Sequence, residues 1–197
     1  MLPRLNFFVG TYLCCPFKIY YFPYIHSMLF SIYTTAYQEA LQMIKSKVHN
    51  DEILSFLASA AEKAAGPDSV VSILLLDNTG VLRNGASPQL PADYLRAIDG
   101  LKPDANVGTC AAAAATGNVV FTPSFYADNK WSELRHLPTS LGFVGAWSMP
   151  IKTNENKVLG TFGTYFRKQR KPSDEEIKGT ELLASAAAMA LEKQLVA

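Results

Sequence analysis

The sequence contains few of the residues that catalytic and metal sites require. It has three cysteines and three histidines among 197 residues, and His26, His49 and His136 are widely separated along the chain. It also lacks a glycine-rich phosphate loop and any recognisable spacing of metal ligands. We therefore expect neither a catalytic site nor a metal site.

The chain also lacks an excess of charge of either sign. The 18 basic and 17 acidic residues give a formal net charge of +1, which excludes a nucleic-acid partner recognised by bulk charge. The odd number of cysteines, two of them adjacent at Cys14 and Cys15, does not suit a disulfide framework. The cysteine content favours a reducing, cytoplasmic setting.

A long uninterrupted hydrophobic run is missing too, although the first 33 residues are rich in aromatic side chains. Two prolines, a lysine and a histidine interrupt this stretch, which makes it a poor membrane span and a poor signal peptide. Three alternatives stay open for residues 1–33: a membrane-associated segment acylated at its paired cysteines, ordered packing on the domain, or a non-native extension before a start at Met28 or later. Residues 34–197 are expected to form a single domain.

Apolar spacing and turn residues predict an alternating set of elements. Helices are expected at 34–48, 52–65 and 90–100, a β-hairpin at 69–87, a short alanine-rich helix from residue 110, strands at 118–122, 143–151 and 158–166, and a last helix from 173 to about 196. Ser173 and Glu176 have the spacing of a capping box at the start of that helix. This order predicts an α+β fold with an antiparallel sheet and helices on one face.

The stretch "VGTCAAAAATG" at 107–117 has three interpretations: a low-complexity accident, a buried helix with a close packing face, or a reactive cysteine at a site. Gly108 and Thr109 precede a short helix whose first amides lack partners and therefore attract anions or carbonyl oxygens. The alanines allow close approach to the sheet. No histidine or second cysteine lies near Cys110 in sequence, so a small packing residue is favoured over a nucleophile.

Together these segments resemble a known family. The motifs "SILLLDNTGVLRNGAS", "VGTCAAAAATGNVVFT", "DNKW", "LGFVGAWSMPI", "VLGTFGTYF" and "KPSDEE" occur in the order seen in GAF domains, and residues 51–193 are most similar to the GAF modules of bacterial sensor histidine kinases and cyclic-di-nucleotide enzymes. The resemblance implies the PAS-like GAF fold, a six-stranded antiparallel sheet with the terminal helices on one face and a small-ligand pocket on the other.

The resemblance also implies a function. We expect a non-catalytic sensory domain that binds an unidentified small molecule, with a histidine kinase or another signalling protein as its partner; no cofactor is identified. The expected ligand-binding residues are Gly108, Thr109, Cys110, Phe125, Trp131, Arg135, Phe143, Trp147, Thr161 and Tyr165. One alternative is a dimerisation scaffold without a ligand. The other is a free methionine-R-sulfoxide reductase, for which a resolving cysteine is missing near Cys110.

The resemblance further implies homodimers formed through the terminal helices. The last helix carries apolar residues on two neighbouring sides, and one sheet face needs only one of them. We expect the stripe of Tyr37, Leu41 and Ile44 in a second copy to cover the other side.

Overall fold

A computed structural model of the chain describes residues 21–195, with side chains from 30 to 193. Its helices are α1 (Tyr21–Lys45), α2 (Asn50–Ala65), α3 (Ala92–Ile98), α4 (Cys110–Thr116), α5 (His136–Ser140) and α6 (Asp174–Leu195). Its strands are β1 (Ser69–Leu76), β2 (Leu82–Ala86), β3 (Val120–Thr122), β4 (Gly145–Lys152) and β5 (Val158–Phe166). The α+β class predicted from the sequence is confirmed.

The strands form one antiparallel sheet in the order β2-β1-β5-β4-β3. Within the described residues the sheet has five strands, one fewer than the resemblance implied. Helices α1, α2 and α6 cover one face, which we call the helix face. Helices α3, α4 and α5 cover the other, which we call the distal face. The sheet is therefore buried on both sides, in agreement with its apolar composition.

The helix face is closed by contacts within one chain. Helix α1 packs against α6, where a methyl group added to Gly179 would come within 2.2 Å of the ring of Tyr33. Ala36 and Ala40 on α1 are buried in the same contact region. The apolar surface of α6 that we assigned to a second copy is thus covered in large part by α1 itself.

The expected boundary after residue 33 falls inside α1, which continues across it, and Tyr33 is 1% exposed. Cys14, Cys15 and the aromatic residues near them lie outside the described residues. None of the helices between residues 21 and 195 is both long and apolar enough to cross a membrane.

Helix α6 begins with the capping box predicted from the sequence. The Glu176 amide donates to Ser173 Oγ at 3.2 Å, and the Ser173 amide donates to Glu176 Oε2 at 2.8 Å. Arg170 donates to both carboxylate oxygens of Glu176 at 2.7 Å and to Ser69 Oγ at 3.2 Å. The start of α6 is therefore joined to the start of β1.

The segment between β3 and β4 is more ordered than the loop we expected. It contains a single 3₁₀ turn at Asn129–Trp131, followed by α5. Upstream, α4 ends at Gly117, which has a left-handed conformation (φ 64°) and donates its amide to Ala113 O. Glycine adopts this conformation without strain, so the helix stops after two turns.

Candidate functional site

Four hydroxyl-bearing residues surround one glycine at the centre of the distal face. Ser72 on β1 and Ser148 on β4 are both paired with Gly163 on β5, so the three residues form a row across adjacent strands. Thr161 and Tyr165 lie two residues before and after Gly163 on β5, and side chains two apart on a strand share a face. The hydroxyl groups thus form a cross centred on a residue that has no side chain.

Cys110, the first residue of α4, lies over the centre of this cross. A methyl group added to Gly163 would come within 2.7 Å of Cys110 Sγ and 3.3 Å of Ser72 Oγ. The Ser148 hydroxyl donates to the sulfur at 3.6 Å. We call Ser72, Tyr94, Cys110, Ser148, Thr161 and Tyr165 the hydroxyl cluster.

The thiol at the centre of the hydroxyl cluster is protonated. Burial raises the pKa of Cys110, and the neighbouring hydroxyls of Ser148 and Thr161 oppose that shift without cancelling it. Burial likewise raises the pKa values of Tyr94 and Tyr165. All three groups are neutral at physiological pH, and a protonated thiol is a poor nucleophile.

Three members of the cluster have hydrogen-bonding capacity that the described residues do not use. The hydroxyls of Ser72, Tyr94 and Thr161 are buried and form no hydrogen bond of full geometry among residues 30–193, although each lies beside Tyr165 or Cys110, close enough for a weak, distorted interaction. Leaving a buried hydroxyl unsatisfied costs about 1–3 kcal/mol, and native proteins rarely do so without a reason. Three such groups close to one thiol mark this as the candidate ligand site.

A second polar system fixes the start of α4 beside the hydroxyl cluster. Trp131 Nε1 donates to Thr109 Oγ1 at 3.0 Å, and Thr109 Oγ1 donates to Thr122 Oγ1 at 3.2 Å. Thr122 Oγ1 in turn donates to Asp128 Oδ2 at 2.8 Å, which also pairs with Lys130 Nζ at 2.8 Å. We call these five residues the Asp128 network. It holds the residue before Cys110 in place, with the indole and both threonine donors each matched to an acceptor.

The electrostatics of the Asp128 network depend on one carboxylate. Partial burial tends to raise the pKa of Asp128, but the hydrogen bonds from Lys130 and Thr122 outweigh it and hold that pKa below its usual range. A surface cleft of about 510 Å³ opens beside Asp128 and Lys130. A molecule bound in that cleft would touch the network that positions α4.

The structure brings together only some of the ten predicted site residues. Cys110, Thr161 and Tyr165 belong to the hydroxyl cluster, and Phe143 packs against Tyr165 with ring centroids 5.5 Å apart. Gly108, Thr109, Phe125 and Trp131 lie beside it: the Gly108 amide donates to Lys130 O at 2.7 Å, and Phe125 packs on Trp131 at 4.4 Å between ring centroids. The Gly108 amide and the Thr109 hydroxyl are therefore both engaged within the protein.

Two predicted residues lie elsewhere. Trp147 points to the helix face, where it belongs to the core under α1, α2 and α6 and stacks on Phe121; its neighbour Ser148 faces the cluster instead. Arg135 extends over the ring of Tyr126, 5.9 Å from its centroid, and Tyr126 is 70% exposed. Placing Trp147 in a distal-face site was wrong, because consecutive residues of a strand point to opposite faces.

Sequence reasoning missed Ser72, Tyr94 and Ser148. The two serines did leave a signal: Ser72 is the one hydroxyl in the interior of the apolar strand "SVVSILLL", whose other serine is its first residue, and Ser148 is the one hydroxyl of "GAWSMPI". Tyr94 lies on the buried side of α3, and nothing in its local sequence indicates which strand it faces. Among the described residues, no group of three histidine, cysteine, aspartate or glutamate side chains could hold a metal ion.

Comparison with known proteins places this architecture in a family. Residues 49–192 match the sequence profile of the GAF domain, which is well over half of the 197 residues. The chain belongs to the GAF domain family. A curated relative, the methyl sulfide methyltransferase-associated sensor of Methanosarcina acetivorans, is 34% identical over 153 residues. The match covers 77% of this GAF domain chain and 15% of that relative.

Solved structures agree on the fold. A domain of a two-component sensor histidine kinase protein from Sinorhizobium meliloti has a TM-score of 0.60 at 23% identity, covering 72% of this chain and 90% of its own. The reduced form of fRMsr from Staphylococcus aureus has a TM-score of 0.60 at 17% identity, and the match covers 81% of this chain and 94% of that one. The comparisons place the chain in the GAF domain family and beside a relative named as a sensor, and its function must be argued from its site.

Proposed function

We propose that this GAF domain is a non-catalytic sensor that binds a small molecule between α4 and the sheet, at the hydroxyl cluster. The observation that carries the proposal is the group of three buried, unpartnered hydroxyls of Ser72, Tyr94 and Thr161. A ligand that paired with them would recover hydrogen bonds that the protein alone leaves unmade. Aromatic rings of Tyr94, Tyr165 and Phe143 adjoin the cluster and would contact its apolar part.

The properties of Cys110 support a binding role over a catalytic one. Its thiol is buried and protonated, and it is the only cysteine among residues 21–195. Sulfoxide reduction needs a thiolate to attack and a second thiol to resolve the sulfenic acid. Turnover of free methionine sulfoxide by the wild-type chain, lost in Cys110→Ser, would contradict this part of the proposal.

The sheet offers a route for the signal. Ser148 contacts Cys110 on the distal face, and the next residue, Met149, is packed in the core of the helix face. Helix α6 contacts β4 and β5 from that side. A ligand that favours one position of α4 over another would therefore change how α6 and α1 pack on the other face of the sheet.

We further propose that the output is passed on through the terminal helices, in a homodimer and to a signalling partner such as a histidine kinase, in a cytoplasmic setting. Met189 on α6 and Phe30 on α1 keep 36% and 37% of their surface exposed. A contact between two copies would remove these two side chains from water, beyond the surface of α6 that α1 already covers.

A rival function, a scaffold without a ligand, is favoured by one observation. Cys110 sits so close to Gly163 that even a methyl group has no room there. In that case the domain would use its own side chains to fill the distal face.

A thermal-shift screen of anions, haem, nucleotides, amino acids, and neutral amides and alcohols separates the two functions. We expect at least one compound to raise the Tm of the wild type, and Thr161→Val to remove most of that shift. Thr164→Val is the matched control, because Thr164 is equally buried on the same strand but points to the helix face. Equal shifts in both variants, or no stabilising compound, would favour the scaffold.

A further inference from the structure

The polar groups buried on the distal face carry no charge. They are the hydroxyls and the thiol of the hydroxyl cluster, together with Thr109 and Thr122 of the Asp128 network. The buried carboxylates among the described residues, Glu62 and Glu176, lie on helices of the other face. Both are engaged there, Glu62 by the Val71 amide at 3.0 Å and Glu176 by Arg170.

Three charged groups that border the distal face, those of Asp128, Lys130 and Arg167, are already engaged. Asp128 and Lys130 pair with each other at 2.8 Å. Arg167 lies over the ring of Phe143, 4.5 Å from its centroid, and donates to the Leu141 carbonyl oxygen. An ionic group placed among the hydroxyls would thus lose its hydration and meet only neutral groups in the cluster, while these three charges stay occupied.

The cluster is suited instead to a neutral polar group. Each hydroxyl can both donate and accept one hydrogen bond or more, and the unpartnered ones come from β1, α3 and β5, so they converge from three elements. The raised pKa values of Cys110, Tyr94 and Tyr165 keep these groups protonated and neutral. The flanking rings of Tyr94 and Tyr165 meet edge to face with centroids 5.9 Å apart.

We propose that the hydroxyl cluster selects an uncharged ligand that both donates and accepts hydrogen bonds, such as an amide or an alcohol attached to an aromatic or aliphatic body, and that it rejects carboxylates, phosphates and ammonium compounds. This inference rests on the proposed function, because it names the chemical class that the sensor site takes.

Three probes of nearly identical shape test the selection: benzamide, which is neutral, benzoate, which is an anion, and benzamidinium, which is a cation. Each is titrated into the full chain at one ionic strength, and Kd is read from NMR shifts of the Thr161 methyl and of neighbouring amides. We expect benzamide to bind at least tenfold more tightly than either ion, and Thr161→Val to weaken it at least fivefold. Thr164→Val should leave the benzamide Kd unchanged.

The outcomes are distinct for the two proposals. Binding of benzoate or benzamidinium at the cluster, as tight as that of benzamide, overturns the selection of neutral ligands while leaving the sensor function standing. If none of the three perturbs the cluster, the selection of neutral amides is likewise overturned, and the thermal-shift screen decides the sensor function separately. If neither Thr161→Val nor Thr164→Val changes the benzamide Kd, benzamide binds outside the hydroxyl cluster, and the inference is overturned.

Discussion

Cys110 Sγ lies directly on the backbone of Gly163, so close that a methyl group on this glycine would come within 2.7 Å of the sulfur. This contact sets the distance between α4 and the sheet. It explains why a cysteine, the smallest residue with a polarisable side chain, is followed by alanines that are also buried. Any enlargement on either side must move the helix.

Gly163→Ala should therefore destabilise the protein by about 1–3 kcal/mol through overpacking. Cys110→Ala removes the sulfur that the new methyl group would strike, so the double variant should be more stable than the sum of the two single effects predicts. Urea denaturation of the wild type, both single variants and the double variant measures this coupling. Additive effects would show that α4 does not rest on Gly163.

Gly179→Ala should destabilise the domain although alanine favours helices. On an exposed helical site the change gains about 1 kcal/mol, but here the methyl group would lie 2.2 Å from the rigid ring of Tyr33. The reversed sign identifies a tight contact between α1 and α6 in one chain. Ser185→Ala, at an exposed position of α6, is the control and should change the urea midpoint little. Stabilisation by Gly179→Ala would mean that α1 does not pack there.

Acid should weaken the Asp128 network. Because the folded-state pKa of Asp128 is held below its usual range, its contribution to stability is complete above the ordinary aspartate pKa of about 3.9 and is lost as the pH falls further, through the folded-state value. Asp128→Asn should flatten this part of the curve of unfolding free energy against pH. Asp77→Asn is the comparison variant. Hydrogen bonds from Thr79 and Arg83 also lower the pKa of Asp77, so this variant shows how much of the acid dependence comes from outside the Asp128 network. An unchanged slope in Asp128→Asn would contradict the assignment.

Loosening the Asp128 network should also expose Cys110. Thr109 precedes this cysteine and is held by Trp131 and Thr122, so Thr122→Val should raise the rate of iodoacetamide labelling at Cys110 several-fold without unfolding the domain. Mass spectrometry of the peptide that contains Cys110 separates it from the other cysteines. Thr164→Val, which alters a buried threonine on the helix face, should leave the labelling rate unchanged. Equal rates in all three proteins would show that the network does not control access to the cluster.

The proposed homodimer is tested by light scattering on the full chain at tens of micromolar. We expect a mass of two chains that falls to one when Met189→Glu and Leu41→Glu are combined, because both residues expose part of their apolar surface on the terminal helices. A mass of one chain for the wild type would remove the dimer. A dimer that persists in the double variant would place the interface elsewhere.

Much of the fold could be read from local patterns. Three predicted features each depend on residues close in sequence, and the structure contains all of them: the capping box of Ser173 and Glu176, the hairpin between β1 and β2, and the end of a helix at residue 65. The face of β4 could not be read in this way. Nearly every residue of "GAWSMPIK" is buried, so the strand shows no alternation that would tell Trp147 from Ser148.

The candidate site was predictable in part for the same reason. Cys110 was singled out because its neighbours are unusual, whereas Arg135 was selected by its charge alone, and the direction of a long side chain in a loop leaves no periodic signal. The surplus of apolar surface on α6 was real, but the sequence could not show that α1 of the same chain folds back over it.

The central pairing of β1 with β5 has a consequence for biosynthesis. Residues 69–75 find their sheet partners at 160–166, so a ribosome must deliver most of the chain before the middle of the sheet can close. Until then the apolar strand "SVVSILLL" is covered on only one edge, by the local hairpin with β2. Such distant pairings slow folding and leave strand edges available for aggregation. The nascent chain is therefore expected to leave this strand edge open until Phe166 has been synthesised.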